Sequence, residues 1–392
     1  MPTLLDDHAL VSDAERATGL ADWGGDDFRE PLAVLVRALN TEASLHEQGA
    51  CIARRHLHDV LCGRLKMAAD RKRWPAIADE QIRAPVFVIG LPRSGTTFLH
   101  NLLAQDPQSR SPLTWEIMFP SPPPDAASYR DDPRIGQCQS KLREIGFLDE
   151  GLQAIHPFGA RRPEECNFIW EYTLRTVNYM AWWNVPSYTK LLYGGDMQPV
   201  YEAHKRFLQH LQHRHRGARW VLKTPAHMAW LATLLAVYPD ACLVQCHRDP
   251  AKVIPSLANN LLQYRRLYSS LRPGDGFGGF GSFGMVELQA AGLARVDALR
   301  DRPEFGGRFI DAHYIDVQAD PMAVVRRIYA HFGMPLPAAS AAAMQAWLGR
   351  DRGEHAAGPK HVYSGGDFGV DHAEIDRHFG AYLRRYNVEL ER

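Results

Sequence analysis

The chain has 392 residues, 45% of them hydrophobic, which is enough for one large α/β domain with additions or for two domains. Lysine plus arginine and aspartate plus glutamate number 45 each, so no global field selects a nucleic acid or an anionic membrane. The six cysteines have no metal-ligand spacing, the longest apolar stretch is too short to span a bilayer, and the N-terminus has no signal-peptide pattern. We expect a cytoplasmic protein with free thiols.

Residues 1–84 carry helical patterns and no strand signal. Ser12 to Glu15 matches a capping box, and apolar residues recur at helical spacing from Leu32 to Leu39. We predict a helical N-terminal extension, 1–84, followed by one domain, 85–392. The extension either covers the substrate or is a purely structural or dimerising layer.

A buried strand, a glycine loop and a helix follow one another from Val86. The loop Gly90-Leu-Pro-Arg-Ser-Gly95 joins the apolar strand to a helix with apolar residues at helical spacing. Loop amides and the positive end of a helix then point at one place, which makes an anion site. The alternative is a strand–helix turn that is glycine-rich but has no binding function.

The loop nearly matches the Walker A spacing, but the lysine position holds Thr96. Thr97 stands at the Ser/Thr position, and a cation, Arg93, lies inside the loop instead. Because the missing lysine normally serves the β and γ phosphates, ordinary ATP or GTP hydrolysis is disfavoured. Arg93 can bind two anionic oxygens and stays charged at any working pH.

The middle of the chain alternates loops and helices. Residues 111–132 are rich in proline and predict a loop that carries Glu116, and a helix is expected to open at Arg161-Arg-Pro163-Glu-Glu. The aromatic residues of 168–188 predict an apolar surface. Four histidines in a basic helix, 201–216, lack a cysteine or carboxylate partner, so we predict a solvated face and no zinc site.

Strands and helices alternate in the second half. Strands are predicted at Trp220–Lys223, Ala241–Cys246 and Phe309–Val317, each followed by a helical pattern. This alternation predicts an α/β, P-loop-like three-layer fold with a central parallel sheet flanked by helices. The glycine-rich segment 273–284 has no strand before it and is expected to be a surface loop or lid.

Three predicted strand ends carry a cation. These are Arg93, Lys223 and Arg248, and ligands of open parallel sheets bind at the carboxyl ends of the strands. Ser256 lies about two turns into the helix after Arg248 and reaches the same edge. One such cation would be an ordinary surface residue, but three indicate a multiply anionic ligand.

Two motifs resemble those of sulfotransferases that use 3′-phosphoadenosine 5′-phosphosulfate (PAPS). Gly-x-Pro-Arg-Ser-Gly-Thr-Thr resembles their 5′-phosphosulfate loop, and His-Arg248-Asp-Pro-x-x-Val-x-x-Ser256 is similar to their 3′-phosphate motif. The resemblance covers Pro85 to about Gly333 and is strongest to the bacterial enzymes with Pro-Arg-Ser-Gly-Thr-Thr. It implies PAPS as sulfonate donor. We expect no metal, because the sulfonate carries one charge and not two. We also expect a small or amphipathic hydroxyl acceptor, since the aromatic residues of 168–188 favour an apolar or aromatic alcohol over a large polysaccharide.

The resemblance also implies roles for individual residues. The implied nucleotide ligands are Arg93, Ser94, Gly95, Thr96 and Thr97 for the 5′-phosphosulfate, Arg248 and Ser256 for the 3′-phosphate, and Tyr314 beside the nucleotide. Lys223 matches a lysine beside the sulfonate. The Arg-Lys-Gly motif of the cytosolic animal enzymes is absent from the C-terminal part, and Lys360 is our candidate replacement.

Catalysis would consist mostly of positioning and charge stabilisation, by analogy with phosphoryl transfer. Arg93 and Lys223 would neutralise charge on the bridging and sulfonyl oxygens, and Lys223 is the better proton donor. Glu116 is the first candidate for the base, because related bacterial enzymes place a glutamate at nearly this distance after the loop arginine. His227, in a first helical turn, is the second candidate.

Two other functions stay open at this stage. A P-loop kinase or phosphotransferase would require magnesium and ATP turnover, and a non-catalytic nucleotide-binding protein would bind without transfer. The acceptor, the oligomeric state, including a homodimer, and the role of the N-terminal helices are not determined by the sequence.

Overall fold

The computed structural model of the chain describes residues 4–153, 156–270, 285–357 and 372–391. The chain divides into two compact units. Unit 1 comprises residues 1–82, 112–216 and 261–272, and unit 2 comprises 83–111, 217–260 and 273–392. The predicted boundary after residue 84 stays a prediction.

The helices are, in chain order, α1 (Asp7–Thr18), α2 (Arg29–Thr41), α3 (Glu47–Arg73), α4 (Thr96–Leu103), α5 (Thr114–Met118), α6 (Pro133–Glu144), α7 (Glu150–Gln153), α8 (Cys166–Trp170), α9 (Val177–Trp182), α10 (Pro186–Gly194), α11 (Gln198–Gln212), α12 (Leu231–Val237), α13 (Pro250–Arg266), α14 (Met285–Arg300), α15 (Tyr314–Ala319), α16 (Pro321–His331), α17 (Ala338–Ala357) and α18 (His372–Arg385). The strands are β1 (Val86–Gly90), β2 (Ser109–Arg110), β3 (Arg219–Lys223), β4 (Cys242–His247) and β5 (Phe309–His313). Short 3-10 turns lie at Pro75–Asp79, Glu171–Thr173, Pro225–Trp230 and Pro303–Arg308.

The helical character predicted for residues 1–84 is confirmed by α1, α2 and α3 of unit 1. The predicted capping box is wrong, because Ser12 and Glu15 lie inside α1. The helix instead begins after Asp6, whose carboxylate accepts the N–H of Ala9 at 2.7 Å. An aspartate at this position satisfies an amide that has no partner within the helix.

Two further predictions for unit 1 are wrong. Residues 111–132 are not a continuous loop, because α5 forms within them and includes Glu116. The helix expected at Arg161 starts only at Cys166, and Pro163 forms an antiparallel bridge with Leu113 instead. This bridge uses backbone groups that a helix would have occupied.

The histidines of α11 do not form a solvated face, which corrects the prediction. His204 and His210 are both 1% exposed. Burial lowers the pKa of His204 to about 3 and the pKa of His210 to about 4, so both rings are neutral at pH 7. His210 Nε2 donates to the Pro120 carbonyl oxygen at 2.9 Å, which compensates part of the cost of burying the ring.

Unit 2 contains a five-stranded parallel sheet with strand order β2-β3-β1-β4-β5. Helices flank both faces, so the predicted P-loop-like α/β fold is confirmed. On one face, Val86 and Val88 of β1 join a hydrophobic core with α4, α16 and α17. On the other face, Phe87 packs against the rings of His227 and Tyr238 at 5.0 and 5.3 Å between centroids.

The last predicted strand is shorter than expected. β5 ends at His313, and Tyr314 begins α15, so the segment predicted as strand up to Val317 is partly helical. The turn brings Tyr314 to the carboxyl edge of the sheet, next to the end of β4. Helix α16 follows Asp320, as predicted, and the carboxylate of Asp320 accepts the N–H of Ala323 at 2.9 Å.

All six cysteines are free thiols, as predicted. Among the described residues, we find no helix that combines the length and the apolar character needed to cross a membrane. The segment 273–284 and Lys360 lie outside the described residues.

Candidate functional site

The loop between β1 and α4 has the shape that its glycines permit. Gly90 adopts φ 133° and Gly95 φ 87°, and Arg93 between them also has a positive φ of 65°. A Cβ on Gly90 would lie 2.4 Å from the carbonyl oxygen of Cys246, so only glycine fits between β1 and β4 there. Ser94 closes the turn, because its hydroxyl donates to the Leu91 carbonyl at 2.6 Å.

The loop leads directly into the N-terminus of α4. Gly95 is the N-cap residue of this eight-residue helix, and Thr96 and Thr97 form its first turn. Amides in such a turn have no partner within the helix, and the helix dipole makes this end positive. The backbone geometry is the one that the predicted anion site requires, and the binding of an anion stays a prediction.

Two of the predicted cations meet at the loop. Arg93 Nε donates to the Ser256 hydroxyl at 3.1 Å, and Arg248 Nη1 donates to the carbonyl oxygen of Arg93 at 3.0 Å. Three residues that lie up to 163 positions apart in sequence are therefore in direct contact. Ser256 is buried in α13, two turns after Arg248, as the spacing predicted.

Lys223 reaches the same helix N-terminus from the end of β3. Its Nζ donates to the Thr97 hydroxyl at 3.1 Å, and the residue is only 1% exposed. The parallel register places Lys223 beside Val88 of β1. Burying an ammonium group costs free energy unless the group is hydrogen-bonded, and the bond to Thr97 offsets part of that cost.

Arg248 is held on several sides. Its Nε and Nη2 donate to the two carboxylate oxygens of Glu391 at 2.8 and 2.9 Å, and its guanidinium carbon lies 3.8 Å from the centre of the Tyr314 ring. Its backbone N–H donates to the hydroxyl of Tyr382 at 3.3 Å. The guanidinium is thus oriented by an ion pair and by a cation–π contact.

A buried polar network supports the end of β4. His247 Nε2 donates to Asp311 of β5 at 2.8 Å, and Arg300 forms two further bonds to the same carboxylate, one of them 2.6 Å long. Burial raises the pKa of Asp311, but the bonds from His247 and Arg300 outweigh it and hold the pKa below its usual range. Burial lowers the pKa of His247, against the opposing effect of Asp311. The network fixes the backbone from which Arg248 extends.

His227 lies in the 3-10 turn after β3. It is fully buried, and its ring stands perpendicular to that of Phe87 in β1. Thr224 precedes the turn, and its hydroxyl accepts the N–H of Ala226 at 3.4 Å. The residue therefore occupies a first helical turn, as predicted, although the turn is 3-10 and not α-helical.

Glu116 belongs to unit 1, whereas the other described site residues belong to unit 2. The residue is fully buried in α5. Its Oε2 accepts the N–H of Leu113 at 2.9 Å and the hydroxyl of Tyr129 at 3.0 Å. These bonds fix the direction of the carboxylate, which a positioned base requires.

Unit 1 also contains a largely apolar cavity of about 70 Å³. Helix α5 contributes Thr114, Ile117 and Met118 to its wall, and α3 and α6 contribute further side chains. The aromatic lining residues are Phe119, Phe147, Phe158, Phe168, Tyr172, Trp182 and Tyr268. The space holds roughly five water molecules, which is enough for one ring or a short chain.

The carboxylates in the cavity wall have basic partners. Lys141 Nζ lies 2.9 Å from Asp59, and His56 Nε2 lies 3.0 Å from Glu171. His156 lies 3.4 Å from Glu164. Because most of the lining side chains are aromatic or aliphatic, the cavity suits an apolar group.

Sequence reasoning missed Glu391 and Tyr382 as partners of Arg248. Both follow Arg248 by more than 130 residues, and neither stands in a motif. A glutamate near the end of a chain has no local signal that distinguishes it from a solvated surface residue. The sequence also did not predict the apolar cavity. It predicted only an apolar surface from the aromatic residues of 168–188.

Comparison with known proteins identifies relatives of the whole chain. Residues 85–338 match the model of the sulfotransferase family. The chain is 28% identical over 262 residues to the omega-hydroxy-beta-dihydromenaquinone-9 sulfotransferase Stf3 of Mycobacterium bovis. This match covers 64% of the chain and spans 63% of the length of that relative.

Two crystal structures are similar over nearly the full length. Sulfotransferase STF1 of Mycobacterium tuberculosis has a TM-score of 0.83 and 31% identity, with 97% of this chain and 100% of that chain covered. Sulfotransferase STF9 of Mycobacterium avium has a TM-score of 0.87 and 30% identity, with 98% of this chain and 97% of that chain covered.

Replacing Gly90 by alanine tests the close approach of β1 and β4. The new Cβ would overlap the Cys246 carbonyl, and φ 133° is strained for alanine, so we expect Gly90→Ala to lower the free energy of unfolding by about 3 kcal/mol or more. Chemical denaturation measures the change. The control is Gly349→Ala in α17, where a Cβ meets open space and alanine should add about 0.5–1 kcal/mol. Equal stability of the two variants would contradict the packing described here.

Proposed function

The chain belongs to the sulfotransferase family, and we propose that it transfers a sulfonate group from PAPS to the hydroxyl of a small or amphipathic acceptor. The observation that carries this proposal is the meeting of Arg93, Arg248 and Ser256 at a glycine loop, with Lys223 at the start of the following helix. Several cations around one helix N-terminus favour a ligand with more than one anionic group.

The proposed nucleotide contacts follow from these positions. Ser94, Gly95, Thr96 and Thr97 would bind the 5′-phosphosulfate through the loop and the first turn of α4. Arg248 and Ser256 would bind the 3′-phosphate, and Tyr314, which already stacks on Arg248, would lie beside the adenosine. Lys360 stays a candidate of the sequence, since it lies outside the described residues.

The reaction breaks the bond between sulfur and the oxygen that bridges to the 5′-phosphate, and it forms a bond between sulfur and the acceptor oxygen. The acceptor proton passes to a base, and the products are adenosine 3′,5′-bisphosphate and a sulfate ester. Arg93 and Lys223 would stabilise the negative charge that grows on the bridging oxygen. Lys223 would supply a proton if the leaving group takes one. We propose that side-chain cations perform this role without a metal.

Glu116 is the proposed base, and His227 is the second candidate. The bonds from Leu113 and Tyr129 orient the Glu116 carboxylate, so that it can accept a proton from one fixed direction. His227 has a comparable degree of burial and lies four residues after Lys223. Either residue would act on the acceptor hydroxyl and not on the nucleotide.

We propose that the cavity in unit 1 takes part of the acceptor. It shares α5 with Glu116, its lining is mostly aromatic and aliphatic, and two of its carboxylates contact Lys141 and His56. By its name, the Mycobacterium bovis relative acts on an omega-hydroxy menaquinone derivative, which is a lipid-like alcohol. An alcohol with an apolar ring or chain is therefore the acceptor class that we propose, and neither nucleic acid nor a large polysaccharide fits this lining.

Direct transfer is the first test of the proposed function. The protein is incubated with PAPS that carries a radioactive sulfonate, in the presence of EDTA, with isoprenoid alcohols, phenols and monosaccharides as acceptors. We expect labelled sulfate esters of the apolar alcohols and none of the monosaccharides. Transfer of γ-phosphate from ATP that depends on magnesium would favour a kinase, and PAPS binding without transfer to any acceptor would favour a regulatory protein.

Selectivity for the 3′-phosphate tests the role of Arg248. Calorimetry should show adenosine 3′,5′-bisphosphate binding more tightly than 5′-AMP, because only the first reaches Arg248 and Ser256. Loss of a charge-assisted bond costs about 1.5–3 kcal/mol, so Arg248→Ala should weaken the bisphosphate on the order of 10- to 100-fold. Binding of 5′-AMP is the internal control and should change little. An equal loss for both nucleotides would contradict the assignment.

The base is tested by two matched substitutions. Glu116→Gln preserves size and polarity but removes the proton acceptor, so kcat should fall on the order of 100- to 10,000-fold. The Kd for adenosine 3′,5′-bisphosphate should stay unchanged, and the acidic limb of the pH–rate profile should disappear. His227→Asn is the comparison, and a large loss there with near-full kcat in Glu116→Gln would identify His227 as the base.

A further inference from the structure

The carboxylate of Glu391 forms an ion pair with the guanidinium group of Arg248. Both carboxylate oxygens are used, at 2.8 Å from Nε and 2.9 Å from Nη2. The backbone N–H of Glu391 also donates to the carboxylate of Asp249 at 2.9 Å. Glu391 is therefore attached, by side chain and by backbone, to Arg248 and Asp249, the two residues between β4 and α13.

This contact has the geometry that a phosphate would use. Arginine presents two parallel N–H donors to either a carboxylate or a phosphate, with nearly the same spacing of oxygens. A carboxylate that remained on Arg248 would stand beside a phosphate with up to two negative charges, and like charges at such distances repel. Glu391 and a 3′-phosphate consequently compete for the same nitrogens.

We propose that Glu391 is an internal competitor of the 3′-phosphate, which binds Arg248 only after Glu391 has left it. This inference rests on the proposed function, in which Arg248 holds the 3′-phosphate. The return of Glu391 would promote departure of adenosine 3′,5′-bisphosphate after transfer. Product release limits the turnover of many enzymes, so a displaceable carboxylate at this position would increase the rate of the cycle at a cost in nucleotide affinity.

The residues directly before Glu391 are exposed. They follow α18, and Leu390 is 50% exposed. The backbone bonds of this segment include those from Val388 to Leu383, at 3.0 Å, and from Glu391 to Asp249. Exposed residues lose little packing when they move, so Glu391 can leave Arg248 while Val388, which is buried, stays in place.

Arg248 keeps other contacts when Glu391 leaves. The Tyr314 ring lies 3.8 Å from the guanidinium carbon, and Nη1 donates to the Arg93 carbonyl at 3.0 Å. These contacts hold the guanidinium plane toward the glycine loop. Glu391 is therefore one of several groups that orient Arg248, and the other contacts can hold the guanidinium group after Glu391 has left.

Substitution of Glu391 by glutamine distinguishes the two roles. Glu391→Gln keeps the shape and removes the charge, and calorimetry should show adenosine 3′,5′-bisphosphate binding on the order of 10-fold more tightly, with 5′-AMP unchanged. The control is Glu389→Gln, which removes the same charge from an exposed side chain two residues away and should leave both affinities as they are. Weaker binding of the bisphosphate to Glu391→Gln, or no change, would overturn the inference.

A second measurement follows the Glu391 amide in the unaltered protein. Saturating adenosine 3′,5′-bisphosphate should raise the hydrogen-exchange rate of this amide, because release of the side chain frees the bond to Asp249. Slower exchange with the nucleotide would overturn the inference. If the unaltered protein binds the bisphosphate no more tightly than 5′-AMP, the proposed function itself fails. If it prefers the bisphosphate but the exchange rate of the Glu391 amide does not change, only the inference about Glu391 fails.

Discussion

The parallel pairing of β1 with β3 on one side and β4 on the other is the constraint on which the rest of the site depends. The register sets Val88 beside Lys223 and Gly90 beside Cys246. It therefore brings the carboxyl ends of three strands, with the candidate residues Arg93, Lys223 and Arg248, to one edge. Gly90 permits this register, because any side chain there would meet the backbone of β4. A loop of the same sequence on a different register would leave Arg93 without Ser256 and Lys223 without Thr97.

The positive charges at this edge are stabilised by hydrogen bonds to neutral groups as well as by carboxylates. Lys223 contacts a threonine hydroxyl, and Arg93 contacts a serine hydroxyl. These hydroxyl groups orient the two side chains. Arg248 also forms an ion pair with the carboxylate of Glu391. The carboxylate of Asp311 is kept apart from this edge by its own bonds to His247 and Arg300, so that it supports the strand end without neutralising the loop.

Short sequence patterns predicted the elements that depend only on neighbouring residues. Two short-range patterns predicted the local structure correctly. One is the strand–glycine–helix order around Gly90 to Thr97, and the other is the spacing from Arg248 to Ser256. The resemblance to bacterial sulfotransferases is confirmed by the family match and by full-length structural relatives. Predictions failed where distant partners decide the outcome. The sequence predicts a solvated helix face for His204, yet this residue is 1% exposed. For Glu391 the sequence predicts no role, because its partner Arg248 lies 143 positions earlier.

The two units divide the charged and the apolar parts of the proposed reaction between them. The described cations for the nucleotide belong to unit 2, while the aromatic cavity and Glu116 belong to unit 1. A nucleotide donor is the same molecule for every member of such a family, so its contacts depend on a rigid sheet edge and on a few fixed side chains. An acceptor is selected by the size and polarity of a cavity, which single substitutions in α3, α5 or α6 can alter without disturbing the sheet. The lining is mostly aromatic and aliphatic, so we expect this cavity to favour an apolar group over a charged one, which would lose its hydration on entry.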